Sequence, residues 1–221
     1  MPQIKIAPSI LSANKKALNE EIRRIESYAD IIHVDVMDGK FVEPITFPIE
    51  DVRKLKTRLP LEAHLMVDEP ENKWIEDYID SGCSSIIIHQ EATKNIDDAI
   101  ALIKKKGAKA AISIKPATSL KTILQYLKKL DMVLIMSVNP GYAGQRFMPE
   151  IIQKIKELRK IDNNIDIGVD GGMNVDTVKE VVMAGANVVV AASTIFNAKD
   201  SVKAIMELRR VLMECVNKIK V

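Results

Sequence analysis

The sequence predicts an α/β protein, organised as a single (β/α)8 barrel, the TIM-barrel architecture, over residues 1–221. Two observations support this fold. Apolar runs rich in β-branched residues, typical of buried strands, alternate along the whole chain with segments of helical periodicity. The strand-helix unit recurs about eight times at a spacing of roughly 20 to 35 residues, with no linker or low-complexity tract between units. A doubly wound open sheet is the alternative, because it has the same repeat, but it rarely uses so many uniform units.

The predicted strands are short and apolar, and capping or turn residues separate them from the helices. They span residues 4–11, 31–38, 61–67, 84–90, 109–115, 132–138, 166–171 and 188–193. Helices are predicted to begin near Asn14, Pro48, Pro70, Asn95, Ser119, Met148, Asn174 and Asp200, and the last runs to Lys218. Asn14 is expected to cap the first helix, Pro48 suits the first position of a helix, and Gly82 ends the helix that starts at Pro70.

With 221 residues and a net charge of +2, the chain is long enough for one barrel and carries well-mixed basic and acidic residues. Neither a nucleic acid nor a membrane surface is expected as a partner, because the sequence has no basic stripe. No segment approaches the roughly 18 uninterrupted apolar residues of a membrane span, and the first residues lack a signal-peptide pattern, so we expect a cytoplasmic protein. Cys83 and Cys215 lie far apart and are expected to be free thiols.

The stretch IIHVDVMDGKF, residues 31–41, combines a buried strand with polar side chains. His33, Asp35 and Met37 occupy every second position and therefore lie on one face of the strand. An imidazole and a carboxylate that point into a core cost free energy unless a metal or a hydrogen-bond network satisfies them. We therefore expect this face to carry the chemistry of the protein.

The reactive residues of a (β/α)8 barrel lie at the C-terminal ends of its strands, and four predicted strands end in polar or thioether side chains. These are His33 and Asp35, His64 and Met66, Met136 and Asn139, and Asp170 followed by Gly171 and Gly172. The two imidazoles and two carboxylates are a set suited to a divalent transition metal such as zinc or ferrous iron. The alternative is that each histidine is a satisfied core residue, but four converging groups favour the metal.

Glycine-punctuated loops follow the sixth and seventh predicted strands. Residues 139–145 (NPGYAGQ) and Gly171-Gly172 can turn backbone N–H groups towards an anion. Barrels commonly bind phosphate after their last strands, so this pattern predicts a phosphate site. No G-x-G-x-x-G follows the first strand, and a dinucleotide site is therefore unsupported.

Seven motifs resemble, in order and spacing, those of the ribulose-phosphate 3-epimerase family. They are PSILSAN, HVDVMDGKFV, HLMV, HQE, SVNPGYAGQRF, VDGGMN and AASTIF. The resemblance covers essentially the whole chain and implies a barrel of the ribulose-phosphate-binding type. It also implies the reaction of this family in the pentose phosphate pathway, which interconverts D-ribulose 5-phosphate and D-xylulose 5-phosphate by moving a proton at C3.

The resemblance assigns roles to the four converging residues. Asp35 would accept a proton and Asp170 would donate one in one direction, with the roles reversed in the other. His33, Asp35, His64 and Asp170 would bind one divalent metal ion that stabilises the enediolate, with Zn2+ or Fe2+ preferred and Mn2+ or Co2+ as alternatives. Family members form dimers to hexamers, so a homo-oligomer is expected.

The resemblance also implies contacts with a small phosphosugar substrate. Ser9, His64 and Asp170 would contact the sugar, and Gly141, Tyr142, Ala143, Gly144, Gly171, Gly172, Ala192 and Ser193 would hold the phosphate. Met37, Met66 and Met136 would form a cap of thioethers that excludes water from the reacting carbon.

Several positions depart from the family pattern, Asn14 and Pro48 among them. Ala192 stands where glycine is usual beside the phosphate, and Glu43-Pro44 replaces the usual Pro-Asn in the loop after the second strand. Because that loop can face the sugar, an epimerase for a phosphorylated hexulose such as D-allulose 6-phosphate remains an alternative. A lyase or a non-catalytic phosphosugar-binding barrel is a further one. Related decarboxylases carry Asp-x-Lys-x-x-Asp where residues 62–67 of this chain contain no lysine, which argues against the lyase.

Overall fold

The computed structural model describes residues 2–219, in which strands and helices alternate as predicted. The strands are β1 (Lys5–Pro8), β2 (Ile32–Asp38), β3 (Ile45–Thr46), β4 (Leu61–Met66), β5 (Cys83–His89), β6 (Lys109–Ile114), β7 (Met132–Met136), β8 (Asp166–Asp170) and β9 (Val188–Ala191). The α-helices are α1 (Leu18–Ile25), α2 (Ile49–Val52), α3 (Trp74–Asp80), α4 (Ile96–Lys105), α5 (Ile151–Ile161), α6 (Thr177–Ala184), α7 (Ser193–Phe196) and α8 (Ser201–Ile219).

The sheet is a closed barrel. Neighbouring strands pair in the order β1-β9-β8-β7-β6-β5-β4-β2, and all of these pairings are parallel. A parallel bridge between Ser9 and His33 joins the β1 edge to β2 and closes the ring. The two-residue strand β3 pairs antiparallel with the end of β2. The predicted (β/α)8 barrel is confirmed, and the open sheet is excluded.

The core has two layers. Side chains on the outward face of the strands, such as Val34, Val36 and Ile86, are fully buried against the helices. Each such aliphatic side chain contributes about 1.5–3 kcal/mol through removal from water. A smaller apolar cluster fills the barrel axis and includes Ala7, Ile87, Ala111, Leu134 and Val188. Polar side chains on the inward face of β2 and β4 are therefore enclosed by apolar neighbours and must satisfy one another.

Several predicted helix boundaries are confirmed and others differ, among them the start of α3, which lies at Trp74 and not near Pro70. The Asn95 side chain accepts a hydrogen bond from the backbone N–H of Asp98 at 3.3 Å and caps α4. Asn14 instead accepts from the N–H of Lys16 at 3.1 Å in a turn, and α1 begins only at Leu18, so the predicted cap is wrong.

The segment after Ser119 was predicted as an α-helix and consists of two 3-10 turns, Leu120–Thr122 and Leu124–Lys129. Leu120 and Ile123 are both buried against the barrel, and residues three apart eclipse one another in a 3-10 turn. Tertiary packing thus overrides the helical periodicity of this segment.

Within residues 2–219, no helix combines the length and apolar character that a membrane crossing requires. Cys83 and Cys215 are free thiols, as predicted, and both are buried.

Candidate active site

The register of β2 against β4 stacks inward-facing side chains in three layers. His33 lies beside Glu62, Asp35 beside His64, and Met37 beside Met66. Residues paired in a parallel register point to the same side of the sheet, so each pair is in lateral contact range. Two acid-base layers therefore lie beneath a layer of thioethers at the C-terminal mouth of the barrel.

Asp170, the last residue of β8, completes a compact cluster with His33, Asp35 and His64. The Nδ1 atom of His64 lies 3.0 Å from Oδ1 of Asp35 and 3.6 Å from Oδ2 of Asp170. The Nε2 atom of His33 lies 3.3 Å from Oδ1 of Asp35 and 3.4 Å from Nδ1 of His64. One ligand atom from each of the four residues lies within 4.8 Å of all the others. The structure thus brings together the four residues that the sequence singled out.

Two further polar side chains, which no sequence pattern assigned to the site, contact the histidines on the side away from the cluster. Nδ1 of His33 lies 2.8 Å from Oε1 of Glu62, and Nε2 of His64 lies 2.9 Å from Nε2 of His89. The signal for Glu62 was available, because Glu62, His64 and Met66 occupy alternate positions of one strand. His89 ends β5 within an apolar run, and nothing local indicates which residue its ring contacts.

The donor set fits a divalent transition metal ion. Two ring nitrogens and two carboxylate oxygens converge on one point, and the second nitrogen of each ring contacts a further protein group, as is usual for metal-binding histidines. Imidazole and carboxylate ligands suit zinc and ferrous iron, and they also accept manganese or cobalt. The side-chain chemistry therefore supports a metal site without selecting the metal.

Burial and neighbouring charge shift the pKa values of the cluster in opposite directions. Burial opposes the charged form of His33, but the carboxylates of Asp35 and Glu62 outweigh it and raise the pKa of His33 well above its ordinary value. Burial would raise the pKa of Asp35, yet contacts with His33 and His64 lower it. Burial, reinforced by the charge of Asp35, raises the pKa of Asp170 to about 7. Asp35 therefore favours the ionised form and Asp170 the protonated one.

A cavity opens above the cluster at the mouth of the barrel. It is lined by Asp35, Asp170, Met37, Met66, Met136, the loop from Gly141 to Gln145, Gly171, Gly172, Ala192 and Ser193. Ser9, His33 and His64 are buried behind Asp35, and the Ser9 hydroxyl donates to Oδ2 of Asp35 at 2.5 Å. The structure therefore places most predicted substrate-contacting residues around one cavity, and Ser9 adjoins it through Asp35.

The backbone beside Asp170 requires glycine. Gly171 has a φ of +113°, and a Cβ atom there would lie 2.4 Å from Cγ2 of Val138. A Cβ atom on Gly172 would lie 2.7 Å from the backbone nitrogen of Phe147. The Ser137 hydroxyl, which the sequence did not single out, donates to the carbonyl oxygens of Asp170 and Gly171 at 2.9 and 2.6 Å. These contacts hold the end of β8 in a defined conformation.

Two of the expected departures from the family pattern, Ala192 and Glu43, lie in or beside the cavity lining. Ala192 has a φ of −106°, which lies outside the left-handed region that favours glycine. Glu43 accepts a hydrogen bond from the hydroxyl of Tyr142 at 2.7 Å, and this bond links the loop after β2 to the loop after β7, which lines the cavity. Glu43 thus takes part in a contact between two neighbouring loops, one of which lines the cavity.

The fold is a parallel barrel, and two histidines and two aspartates converge at its C-terminal mouth. This arrangement is typical of a barrel enzyme that holds a divalent metal beside paired carboxylates. Comparison with known proteins gives the family. The model of the ribulose-phosphate 3-epimerase family matches residues 5–196, so the chain belongs to this family of isomerases.

Curated relatives support the assignment. The chain is 42% identical to ribulose-phosphate 3-epimerase of Bacillus subtilis, with 93% of this chain and 98% of the relative covered. It is 39% identical to the Escherichia coli enzyme of the same name, with 96% of this chain and 97% of the relative covered.

Solved structures show the same fold. A 3-hexulose-6-phosphate synthase from Salmonella typhimurium superposes with a TM-score of 0.76 at 16% identity, covering 96% of this chain and 100% of that chain. KGPDC from Streptococcus mutans superposes with a TM-score of 0.75 at 16% identity, covering 96% of this chain and 98% of that chain. At this level of identity the similarity concerns the barrel alone.

Proposed function

We propose that the protein is a metal-dependent epimerase that interconverts D-ribulose 5-phosphate and D-xylulose 5-phosphate. The observation that supports this most directly is the placement of two carboxylates, Asp35 on β2 and Asp170 on β8, beside one cavity. The strands β1 and β9 separate β2 from β8, so the two carboxylates approach the cavity from different sides. Inverting a carbon next to a carbonyl requires one acid-base group on each face of that carbon.

The pKa shifts support a division of labour between the two carboxylates. Asp35, whose pKa is lowered, is ionised and removes the C3 proton from one epimer. Burial and the charge of Asp35 raise the pKa of Asp170 in the metal-free cluster, which favours Asp170 as the group that returns a proton to the opposite face. Two titratable groups whose environments separate their pKa values are suited to act as base and acid. In the reverse direction the two residues exchange these roles.

His33, Asp35, His64 and Asp170 would hold the divalent metal ion. When bound, the metal supplies positive charge that stabilises the negative charge developing on the substrate oxygens. The hydroxyl of Ser9 holds Asp35 through its Oδ2 atom and leaves Oδ1 directed towards the two histidines. Asp35, His33 and His64 thus each have a second contact, with Ser9, Glu62 and His89 respectively, that fixes the orientation of the ligand.

Substrate binding is divided between an apolar and a polar side of the cavity. Met37, Met66 and Met136 are each 2% exposed and would exclude water from the planar intermediate. The loops at residues 141–145 and 171–172, together with Ala192 and Ser193, would bind the phosphate through backbone N–H groups, where barrel enzymes commonly bind it.

The proposal is tested by an epimerase assay of the zinc-loaded and cobalt-loaded protein. Ribulose 5-phosphate and allulose 6-phosphate are supplied separately, in deuterated water, and the label at C3 is followed by NMR. We expect rapid epimerisation of the pentulose phosphate with deuterium entering at C3. A faster reaction with allulose 6-phosphate would reassign the substrate to the hexulose phosphates, whereas no exchange at C3 of either sugar would indicate a binding protein and refute the enzyme.

A further inference from the structure

All three histidines of the chain are buried, and their rings form a continuous row. His33 and His64 belong to the metal-binding cluster, but His89 lies one strand away, at the end of β5. Its Nε2 atom lies 2.9 Å from Nε2 of His64, and the two rings stack with centroids 5.0 Å apart. His89 therefore contacts a metal ligand without belonging to the ligand set.

A metal held by the cluster would fix the direction of each hydrogen bond along the row His64, His89 and Glu91. The Nδ1 atom of His64 belongs to the ligand set and lies 3.0 Å from Oδ1 of Asp35. A metal held by the cluster would take the lone pair of this atom, and the ring proton of His64 would then lie on Nε2. That proton points at Nε2 of His89, which must then be the unprotonated nitrogen of its ring. His89 consequently carries its proton on Nδ1, which faces Oε2 of Glu91 at 3.1 Å. Each link thus has one donor and one acceptor.

Glu91, the last residue of this row of hydrogen bonds, is itself held in place by the loop after β6. Its Oε1 atom accepts hydrogen bonds from the backbone N–H of Lys115 at 2.8 Å and from the hydroxyl of Thr118. The same loop is held from the other side by Lys154, whose Nζ donates to the carbonyl oxygen of Pro116 at 2.5 Å. The loop after β6 thus fixes Glu91, and Glu91 fixes His89.

The ring of His89 is also restrained by packing. Phe41, in the loop after β2, has its ring centroid 4.8 Å from that of His89. The side chain of Lys115 places Nζ 4.0 Å from the Phe41 centroid. His89 is therefore fixed by contacts with two rings in addition to its two hydrogen bonds.

We propose that His89 and Glu91 are positioning residues that hold the metal ligand His64 in the tautomer with a free Nδ1 and thereby raise the affinity of the site for its metal. The inference rests on the proposed metal-dependent function and extends it to two residues outside the ligand set. Partners of this kind typically change metal affinity by about 10- to 100-fold when they are removed.

The test compares zinc affinity among three variants, measured by competition with a chromophoric chelator. His89→Phe keeps an aromatic ring but removes the acceptor for His64, and we expect the Kd for zinc to rise by about 10- to 100-fold. Glu91→Gln keeps the shape but removes the charge, and we expect a smaller rise. Ser113→Ala is the matched control, because Ser113 pairs in register with His89 and its buried hydroxyl has no hydrogen-bond partner within residues 2–219. Its Kd should stay within about twofold of the wild-type value.

A second measurement does not depend on whether the variants fold. Long-range nitrogen-15 spectra of the zinc-loaded wild-type protein contain signals from only three histidines. We expect His89 to show a protonated Nδ1 and an unprotonated Nε2, a pattern that packing alone does not impose.

The outcomes separate this inference from the function on which it rests. A wild-type protein without zinc affinity or epimerase activity would refute the proposed function. An active, zinc-binding wild type in which His89 carries its proton on Nε2, or a folded His89→Phe variant with unchanged zinc affinity, would overturn only the positioning role.

Discussion

Replacing Asp170 with asparagine tests the core of the proposed reaction. Asparagine has the same shape as aspartate, so the contacts of the β8 end are retained, but its amide cannot transfer a proton to carbon. General acid-base groups typically contribute about 10²- to 10⁴-fold to a rate, which corresponds to roughly 2.7 to 5.5 kcal/mol of transition-state stabilisation. We therefore expect kcat for epimerisation to fall by at least about 100-fold in Asp170→Asn.

The same strand provides a control at its other end. Asp166 begins β8, where it forms a partly exposed ion pair with Lys5 at 2.6 Å, at the opposite end of the strand from Asp170. Such a pair contributes about 0–1 kcal/mol to stability, so Asp166→Asn should retain wild-type kcat with at most a small decrease in the free energy of unfolding. Equal losses of activity in both variants would indicate a general effect on β8 and would refute the specific role of Asp170.

Loss of metal must be distinguished from loss of the acid, because Asp170 belongs to the metal-binding cluster. Metal content is measured in the same samples, and the C3 hydrogen of each sugar is followed in deuterated water. Asp170→Asn retains Asp35 and should still exchange the C3 hydrogen of one epimer without forming the other. A metal-loaded variant that epimerises within about tenfold of the wild-type rate would refute the two-carboxylate reasoning.

Three further predictions concern the metal, the backbone and the loops. Because the pKa of His33 lies well above its ordinary value, a proton on His33 competes with the metal. Zinc affinity, measured by competition with a chelator, should therefore rise with pH, and an affinity that does not change with pH would contradict this. Gly171→Ala should lower the free energy of unfolding, measured in urea, by about 1–3 kcal/mol. Gly107→Ala is the control and should lower it by less, because Gly107 also has a positive φ but no neighbouring atom lies within 4 Å of the added Cβ atom. Tyr142→Phe removes the bond to Glu43 and should raise KM by about two- to tenfold with little change in kcat, whereas an unchanged KM would show that this link does not assist binding.

Much of the fold could be predicted from local patterns. Apolar β-branched runs located all eight parallel strands, and the side chain of Asn95 correctly marked a helix start. The 3-10 turns after Ser119 could not be predicted, because their geometry depends on how Leu120 and Ile123 pack on the finished barrel. The prediction that Asn14 caps the first helix was wrong, because its side chain stabilises a turn that precedes α1.

What the sequence determined by itself was the inward face of each strand. The two-residue period of a strand places His33, Asp35 and Met37 on one side, and the same rule applies to Glu62 and His64. The two-residue period does not determine which residue of one strand lies beside which residue of the next strand. That pairing depends on the register of the strands and on closure of the barrel, and both arise from contacts between residues distant in the sequence.

Only the tertiary structure decided that Asp35 lies beside His64, that Asp170 joins them, and that Glu62 and His89 contact the two ring nitrogens that face away from the cluster. The physical reason is that hydrogen bonds, and the interactions that shift a pKa, act over a few ångströms. The local sequence specifies to which side of a strand a side chain points, but it does not specify the distances between side chains of different strands.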